Sequence, residues 1–290
     1  MNLAHPSELK ALLERYGFSF SKSLGQNFLI DENVLGKIVD AASPDENTCA
    51  LEIGPGAGTL TQHLAERAKT VAAVEIDSAL IPILKETMGE YDNFHLIHAD
   101  VMETDLKKLT EELFGETSFC VAANLPYYIT TPIVMGLLES GLPVTAMTLM
   151  VQKEVADRMV AKPGTKEYGA LSVAVQYYTN ASFVCKAEPH CFMPQPKVAS
   201  SVIKLEVLPK PSVEVKDEKL FFKVVKSAFG QRRKTLCNSL SKSPYISIDK
   251  EKVTSALALM GLDEGIRGER LSVEDFATLS NHIWNMTHNG

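Results

Sequence analysis

The sequence predicts an α/β domain with a mostly parallel sheet, followed by a small all-helical C-terminal domain. Three observations support this prediction. Short apolar runs alternate with helical patterns from residue 48 onward, each run is apolar almost throughout, and residues 211–290 show only helical periodicity. Alternation of strands and helices is typical of βαβ units, and parallel strands buried on both faces have continuous apolar sequences. With 290 residues, 45% of them hydrophobic, the chain is long enough to bury a full core.

The N-terminal part begins with a short predicted helix. Ser7 is its expected cap, three leucines form its apolar stripe, and Gly17 is expected to end it. A segment rich in Ser and Gly follows at 18–31, and a second helix is predicted at 32–41.

The alternating region then predicts strands and helices in turn. The strands are expected at 49–53, 70–77, 94–98, 119–123 and 146–152, and helices at 60–68 and 80–88. Beyond residue 165 the pattern is less regular, so 171–179 fits either a helix or a strand, whereas 181–187 and 200–208 favour strands.

Two prolines, Pro209 and Pro211, mark the expected domain boundary, which divides the chain into 1–210 and 211–290. The second part is predicted to be entirely helical, with Asp249 and Ser272 as helix caps. No internal repeat is visible.

Composition argues against several classes of protein. The apolar stretches are shorter than the roughly 20 residues that a membrane span needs. The N-terminus lacks a basic start followed by an apolar core, so no signal peptide is predicted and a cytoplasmic location is expected. Five cysteines without a CxxC pair argue against a disulfide framework. Cys185, His190 and Cys191 come nearest to a metal-binding cluster, but their spacing does not match zinc sites, and no metal is predicted.

Charge is distributed unevenly along the chain. The net charge is −7, which argues weakly against a nucleic-acid partner. Residues 1–210, however, carry 17 Lys and Arg against 26 Asp and Glu, whereas residues 211–290 carry 12 against 10. A dense basic run lies within 216–242. It is either a solvated helix face or a surface that contacts phosphates.

The first motif with chemical meaning is the glycine-rich turn at 54–58, which follows a predicted strand and precedes a helix. Glycines let the backbone approach a ligand closely, and the start of a helix presents unpaired N–H groups. The spacing is GxGxG with proline second, rather than the GxGxxG of dinucleotide-binding proteins. It therefore favours S-adenosylmethionine over a nicotinamide dinucleotide.

Two acidic residues follow the next two predicted strands. Glu75 closes the strand about 20 residues after the glycines, where an acid can accept both ribose hydroxyls of a nucleoside cofactor. Asp100 follows the third strand and can accept a hydrogen bond from an adenine amine. Because ligands of open α/β sheets bind at the carboxyl ends of strands, all three motifs are expected at one edge.

The tetrapeptide Asn124-Leu125-Pro126-Tyr127 follows the fourth strand and indicates the reaction. An amide oxygen and a backbone carbonyl beside a proline can both accept hydrogen bonds from one amino group. Such a pair orients an exocyclic base nitrogen toward a methyl donor, and the tyrosine offers a ring on which the base can stack.

Several motifs in order resemble one known family. They are SLGQNFL at 23–29, EIGPGAG at 52–58, NLPYYITTP at 124–132, FMPQPKV at 192–198 and FGQRRKTL at 229–236. Together they resemble the KsgA/RsmA family of small-subunit ribosomal RNA adenine-N6,N6 dimethyltransferases, over nearly the whole chain from about residue 20.

The resemblance implies a Rossmann-like class I methyltransferase domain with S-adenosylmethionine as cofactor, covered by the N-terminal loop. The residues expected to contact the cofactor are Asn27, Leu29, Gly54, Gly56, Glu75, Ile76, Asp100, Val101 and Asn124. Those expected at the methyl-transfer site are Asn124, Leu125, Pro126, Tyr127 and Phe192, with the rings of Tyr127 and Phe192 on either side of the target adenine.

The resemblance also implies the substrate. The family dimethylates two adjacent adenosines in the 3′-terminal hairpin loop of small-subunit (16S-type) rRNA, on a partly assembled pre-30S particle. The partner is then the small ribosomal subunit, no membrane is involved, and a monomer is expected. The residues expected to contact rRNA phosphates are Lys223, Lys226, Arg232, Arg233 and Lys234.

Three positions depart from the family pattern: Tyr128, Gln195 and Ala199. They affect the expected loop geometry and rRNA docking, not the methyl-transfer roles. The sequence leaves three alternative functions to compare with this one. They are a large-subunit rRNA adenine-N6 methyltransferase, a noncatalytic RNA-binding assembly or transcription factor on the same fold, and an NAD-dependent oxidoreductase, which leaves the 124–127 motif unexplained.

Overall fold

The computed structural model describes residues 1–288, which form two compact units. The first unit comprises 1–156 and 180–207, and the second comprises 157–179 and the chain from Leu208 onward. None of the helices in the described part of the chain combines the length and apolar character needed to cross a membrane.

The first unit is an α/β structure. Its strands are β1 (Phe28–Leu29), β2 (Cys49–Ile53), β3 (Thr70–Glu75), β4 (Phe94–His98), β5 (Phe119–Asn124), β6 (Val144–Gln152), β7 (Thr179–Ala187), β8 (Phe192–Met193) and β9 (Ser200–Val207). Its helices are α1 (Pro6–Arg15), α2 (Glu32–Ala42), α3 (Thr59–Ala65), α4 (Ile81–Thr87), α5 (Leu106–Phe114) and α6 (Thr130–Glu139), and α7 (Lys153–Met159) reaches the end of this unit.

Seven strands form one sheet in the order β4-β3-β2-β5-β6-β9-β7. The strands β2 to β6 pair in parallel with their neighbours, and β9 runs antiparallel to β6. The mostly parallel sheet is therefore confirmed. Burial explains the apolar runs, since every residue of β2 and all but the first of β3 are buried.

The strand order places the site. From β2 the chain proceeds outward to β3 and β4, then returns to β5 on the other side of β2. A crevice opens beyond the carboxyl ends of strands where the order reverses in this way. The glycine turn follows β2 and Asn124 ends β5, so both motifs flank this crevice.

The first helix differs from the prediction at its start. Pro6 occupies its first turn and His5 is the cap residue, so Ser7 is not the cap. A proline fits this position because its fixed φ suits a helix and its missing N–H is not needed there. The Ser7 hydroxyl instead lies 2.9 Å from Nδ1 of His5.

The second unit is helical. Its helices are α8 (Ala170–Tyr178), α9 (Glu218–Gly230), α10 (Leu236–Ser241), α11 (Lys250–Leu259) and α12 (Val273–His288). The predicted caps are confirmed, because the Asp249 carboxylate accepts from the Lys252 N–H and the Ser272 hydroxyl accepts from the Asp275 N–H.

The second unit resumes at Leu208, close to the predicted boundary between 1–210 and 211–290, but it also includes a segment of the predicted first domain, 157–179. This segment belongs to the second unit because α8 packs on α9. The ring of Tyr177 stacks on Phe221 with centroids 4.9 Å apart, and its hydroxyl donates to Glu218 at 3.0 Å. These partners lie more than 40 residues away, so the local pattern could not reveal them.

Candidate active site

One cavity of the first unit lies at the carboxyl ends of β2, β3, β4 and β5. It encloses about 1150 Å³, a figure that includes its open mouth. All nine residues predicted to contact a cofactor line it, and so do three of the five predicted for methyl transfer in addition to Asn124. The structure thus gathers residues that span about a hundred positions of the sequence.

The glycine turn forms one wall. Gly54, Gly56 and Gly58 all have left-handed φ values, of +70°, +63° and +96°, which side chains rarely adopt. A Cβ at Gly54 would meet open space, whereas one at Gly56 would lie 3.0 Å from the Phe28 ring. The turn therefore exposes bare backbone to the cavity, and the 21–30 segment packs against it.

Glu75 joins the turn to the end of β3. Its Oε2 accepts a hydrogen bond from the Gly56 N–H at 3.1 Å, and its Oε1 accepts from the Asp77 N–H at 2.8 Å. Burial raises the pKa of Glu75, and these two backbone donors lower it part of the way back. A carboxylate has more acceptor sites than these two bonds use, so it can still accept from ribose hydroxyls.

Asp100 lies on the same side of the cavity. Its Oδ1 accepts from the Met102 N–H at 2.8 Å, which orients the carboxylate and leaves Oδ2 for a ligand amine. Ile76, 47% exposed, and Val101 add apolar surface to the same wall.

The turn after β5 contains the best-defined polar geometry. Nδ2 of Asn124 donates to the Asn27 carbonyl at 2.8 Å. Because a carbonyl can only accept, this bond fixes which end of the amide is Nδ2, and Oδ1 of Asn124 accepts no hydrogen bond from residues 1–288. The Pro126 carbonyl already accepts from the Ile129 N–H and the Thr130 hydroxyl, at 3.3 and 3.1 Å. The backbone acceptor left beside the proline is the Leu125 carbonyl.

Aromatic residues differ in their access to the cavity. Tyr127 lines it, and its hydroxyl lies 3.1 Å from the Ser200 hydroxyl, which holds the ring in place. Phe192 is only 2% exposed and packs in the core, where β8 pairs with β1. Of the two predicted stacking residues, Tyr127 therefore lines the cavity and Phe192 does not. Tyr128, 59% exposed at the cavity, was not predicted as a site residue.

Asp31, His190 and Cys191 are a group of potential metal ligands within residues 1–288 whose ligand atoms lie within 4.8 Å of one another. Cys185 is not part of it. Asp31 has a structural role, since Oδ1 caps α2 by accepting from Val34 and Oδ2 lies 3.6 Å from the Cys191 sulfur. Burial and the nearby Asp31 raise the pKa of the Cys191 thiol, which favours the protonated form.

The basic residues of the second unit fall into two groups. Arg232 donates to the carbonyls of Lys166 and Tyr168, at 2.7 and 3.1 Å, and so holds the 162–168 loop. Lys226 places its ammonium 4.1 Å from the centre of the Tyr245 ring. The other three residues predicted to contact RNA are exposed, and their side chains make no hydrogen bond or ion pair within the described chain: Lys223, Arg233 and Lys234.

Two further polar residues were missed by the sequence analysis. Gln26 and Asp77 form a side-chain hydrogen bond of 2.6 Å, next to the glycine turn. Gln26 belongs to the SLGQNFL motif and Asp77 follows Glu75, so both stood in segments that had been singled out. Only the fold shows that they meet.

These residues fit S-adenosylmethionine. The open space before Gly54 admits the methionine part, the oriented Glu75 carboxylate suits a ribose diol, and the free oxygen of Asp100 suits an adenine amine. The acceptor oxygens of Glu75 and Asp100 are those expected for a nucleoside.

Comparison with known proteins identifies relatives over the whole length. The family model described as ribosomal RNA adenine dimethylase matches residues 17–284. A protein of Alkaliphilus oremlandii named ribosomal RNA small subunit methyltransferase A is 53% identical over 281 residues, 97% of this chain and 98% of that protein. A protein of the same name from Geobacillus thermodenitrificans is 54% identical over 284 residues, 97% of each chain.

Solved structures of two methyltransferases also align with most of this chain. A dimethyladenosine transferase from Plasmodium falciparum aligns with a TM-score of 0.74 at 26% identity, covering 87% of this chain and 95% of the other. The 23S rRNA methyltransferase ErmE aligns with a TM-score of 0.68 at 27% identity, covering 89% and 99%.

Proposed function

The chain belongs to the ribosomal RNA adenine dimethylase family, and on that premise we propose that it dimethylates N6 of two adjacent adenosines in the 3′-terminal hairpin loop of small-subunit rRNA. It is an S-adenosylmethionine-dependent methyltransferase of rRNA adenine.

The degree of identity favours small-subunit rRNA over large-subunit rRNA. Relatives named for the small subunit are 53–54% identical over 97% of the chain, whereas the 23S rRNA enzyme is 27% identical. The two classes share the fold, so the fold alone does not separate them.

The single observation that carries the proposed chemistry is the orientation of the Asn124 amide. Its Nδ2 is bound to Asn27, so Oδ1 and the Leu125 carbonyl form a pair of acceptors at the cavity. A primary amine that donates one N–H to each of them is held in a fixed orientation, with its lone pair directed away from both. Positioning of this kind supplies much of a methyl-transfer rate.

When bound, S-adenosylmethionine supplies the electrophilic methyl group. Gly54, Glu75 and Asp100 would hold it, on the strand ends next to Asn124. The target amine becomes acidic only as its new bond forms, so Asn124 need not act as a base, and the proton leaves to water. The chain's own contribution is alignment and exclusion of other nucleophiles.

We infer that the target adenine leaves its stack and lies on the Tyr127 ring, which the Ser200 contact holds in place. Phe192 is 2% exposed and does not line the cavity, so it can complete a sandwich around the adenine only if β8 moves. Substrate binding would have to supply that movement.

The exposed cations at 223, 233 and 234 support binding of rRNA phosphates, which is salt-dependent and largely independent of sequence. Because the whole chain carries a charge of −7, we propose that naked RNA binds poorly and that a partly assembled small subunit is the substrate. The protein is proposed to act as a cytoplasmic monomer.

Methyl transfer from labelled S-adenosylmethionine tests the proposal. The acceptors are small subunits lacking the hairpin modification, large subunits from the same cells, and free 3′-hairpin RNA, and the modified nucleoside is mapped. Dimethyladenosine in the small-subunit hairpin is the expected product. Label confined to large subunits would overturn the choice of substrate, and absence of label in every acceptor would favour a noncatalytic RNA-binding role.

A further inference from the structure

The 21–30 segment crosses the cavity and is held by polar contacts on both sides of Asn27. Gln26, just before it, bonds to Asp77 beyond the end of β3. The Asn27 carbonyl itself receives the Asn124 amide, and Phe28 begins β1, which pairs with β8. One short segment therefore touches the wall next to Glu75 and the proposed methyl-transfer motif.

Both ends of the Gln26 side-chain amide are hydrogen-bonded. Its Nε2 donates to Oδ2 of Asp77 at 2.6 Å, and its Oε1 accepts from the Ser21 N–H at 2.7 Å. On the other side, Oδ1 of Asp77 accepts from the Ala79 N–H at 3.0 Å. These bonds tie residues 21–26 to the turn that follows β3.

The position of Asn27 depends on the hydrogen bond between Gln26 and Asp77. The Asn27 carbonyl lies 2.8 Å from Nδ2 of Asn124, and the Asn27 side chain donates to the Gly25 carbonyl at 3.0 Å. If the segment shifts, Asn124 loses the acceptor that distinguishes the two ends of its amide. If the Asn124 amide then rotated by 180°, its N–H groups would face the N–H groups of the target amine. Both groups are donors, so no hydrogen bond could form between them.

We propose that Gln26 is a positioning residue for methyl transfer: its bond to Asp77 holds the Asn27 carbonyl on Asn124 and so keeps Oδ1 of Asn124 directed at the target amine. The inference rests on the proposed function. Loss of the bond lowers kcat by roughly 10- to 100-fold, the range expected for misplacement of a reacting group. Affinity for the cofactor changes little, because the Glu75 carboxylate keeps the two backbone N–H groups that donate to it.

Exchanging the donor and the acceptor between positions 26 and 77 tests the proposal. Gln26→Glu faces the Asp77 carboxylate with a second carboxylate, and Asp77→Asn faces the Gln26 amide with a second amide. In the double variant, Glu at 26 still accepts from Ser21 and Asn at 77 still accepts from Ala79. The bond between the two side chains is restored in reverse, and the net charge equals that of the wild type.

We expect each single variant to lose kcat and the double variant to regain most of it. The matched control is Gln62→Glu, which alters another partly buried glutamine whose Nε2 donates to a carbonyl, that of Thr87, at 3.1 Å. It should lower thermal stability and leave kcat unchanged. A double variant no faster than the slower single variant, or single variants with wild-type kcat, would overturn the proposal.

Two measurements on each protein separate this inference from the proposed function. Hydrogen exchange of the backbone amides of 27–30 in the cofactor-free protein should speed up in the single variants and recover in the double variant. Binding of S-adenosylhomocysteine by calorimetry should stay near the wild-type value. A loss of binding that accounts for the loss of rate would refute a positioning role. Unchanged hydrogen exchange in the single variants would also refute the positioning role. This result does not depend on which RNA the wild-type protein methylates.

Discussion

Glu52 is the most deeply buried carboxyl group of the first unit, and its replacement by glutamine tests how the sheet tolerates it. It is 1% exposed, in the middle of the sheet on β2, and its Oε2 has no hydrogen-bond partner within residues 1–288. Burial raises the pKa of Glu52 to about 8, although the nearby Thr61 hydroxyl lowers it part of the way back. The nearby Glu75 raises it further. We therefore expect Glu52 to be mostly protonated at neutral pH, which avoids a second charge beside Glu75.

The pKa of Glu52 is higher in the folded protein than its ordinary value of 4.5. Its contribution to stability is therefore complete below pH 4.5 and is lost as the pH rises through about 8. A difference of this size corresponds to at most about 5 kcal/mol of unfolding free energy, at 1.36 kcal/mol for each pH unit. That is a large part of the total stability of a domain.

Urea unfolding at pH 5, 7 and 9 measures this effect. The wild-type protein should lose stability between pH 5 and 9, and Glu52→Gln should lose much less, because the amide does not ionise. The test is the change of unfolding free energy with pH in each protein, not the difference between the two proteins at pH 5. Parallel pH profiles would refute the assignment of a neutral Glu52. Binding of S-adenosylhomocysteine at pH 7 should be unchanged, as Glu52 does not line the cavity.

Three further predictions concern the site and the RNA surface. Glu75→Gln should weaken S-adenosylhomocysteine binding by roughly 10- to 100-fold in calorimetry, because the amide keeps only one of the two carboxylate oxygens that would accept from the ribose hydroxyls; unchanged affinity would contradict this role. Asn124→Ala should lower kcat by roughly 100-fold or more in the subunit assay with little change in cofactor affinity, and a matching loss of affinity would count against the assignment. Arg232→Ala should lower the melting temperature, whereas Arg233→Ala should keep it and reduce the salt dependence of rRNA binding by about one ion; the reverse pattern would show that the two roles are exchanged.

The sheet and most of the cavity wall could be predicted from the sequence because the signals are local. An apolar run predicts a buried parallel strand, and the residue that follows it must lie at the carboxyl edge. Gly54, Glu75, Asp100 and Asn124 each follow or end a strand, so parallel pairing alone brings them to one edge. The resemblance supplied Asn27, which no strand end indicates.

Long-range pairing could not be predicted in the same way. The segment 171–179 fits a helix or a strand by its pattern, and it becomes α8 in the second unit through contacts with α9. Phe192 carries a family motif, yet pairing of β8 with β1 buries its ring. In each case a partner from a distant part of the chain decides the outcome, and periodicity carries no information about that partner.

Arg232 and Arg233 show that the sequence pattern also cannot predict the contacts of single residues. They are adjacent, equally charged and both exposed, and the basic run predicts the same phosphate contact for both. The structure separates them, because only Arg232 reaches two backbone carbonyls of the 162–168 loop. A guanidinium that satisfies carbonyls stabilises the fold and has fewer donors left for phosphate, whereas one in solvent keeps all of its donors. A count of basic residues therefore overstates the RNA-binding surface. The residues that contribute to the salt dependence of RNA binding should be those whose side chains make no hydrogen bond to the rest of the protein.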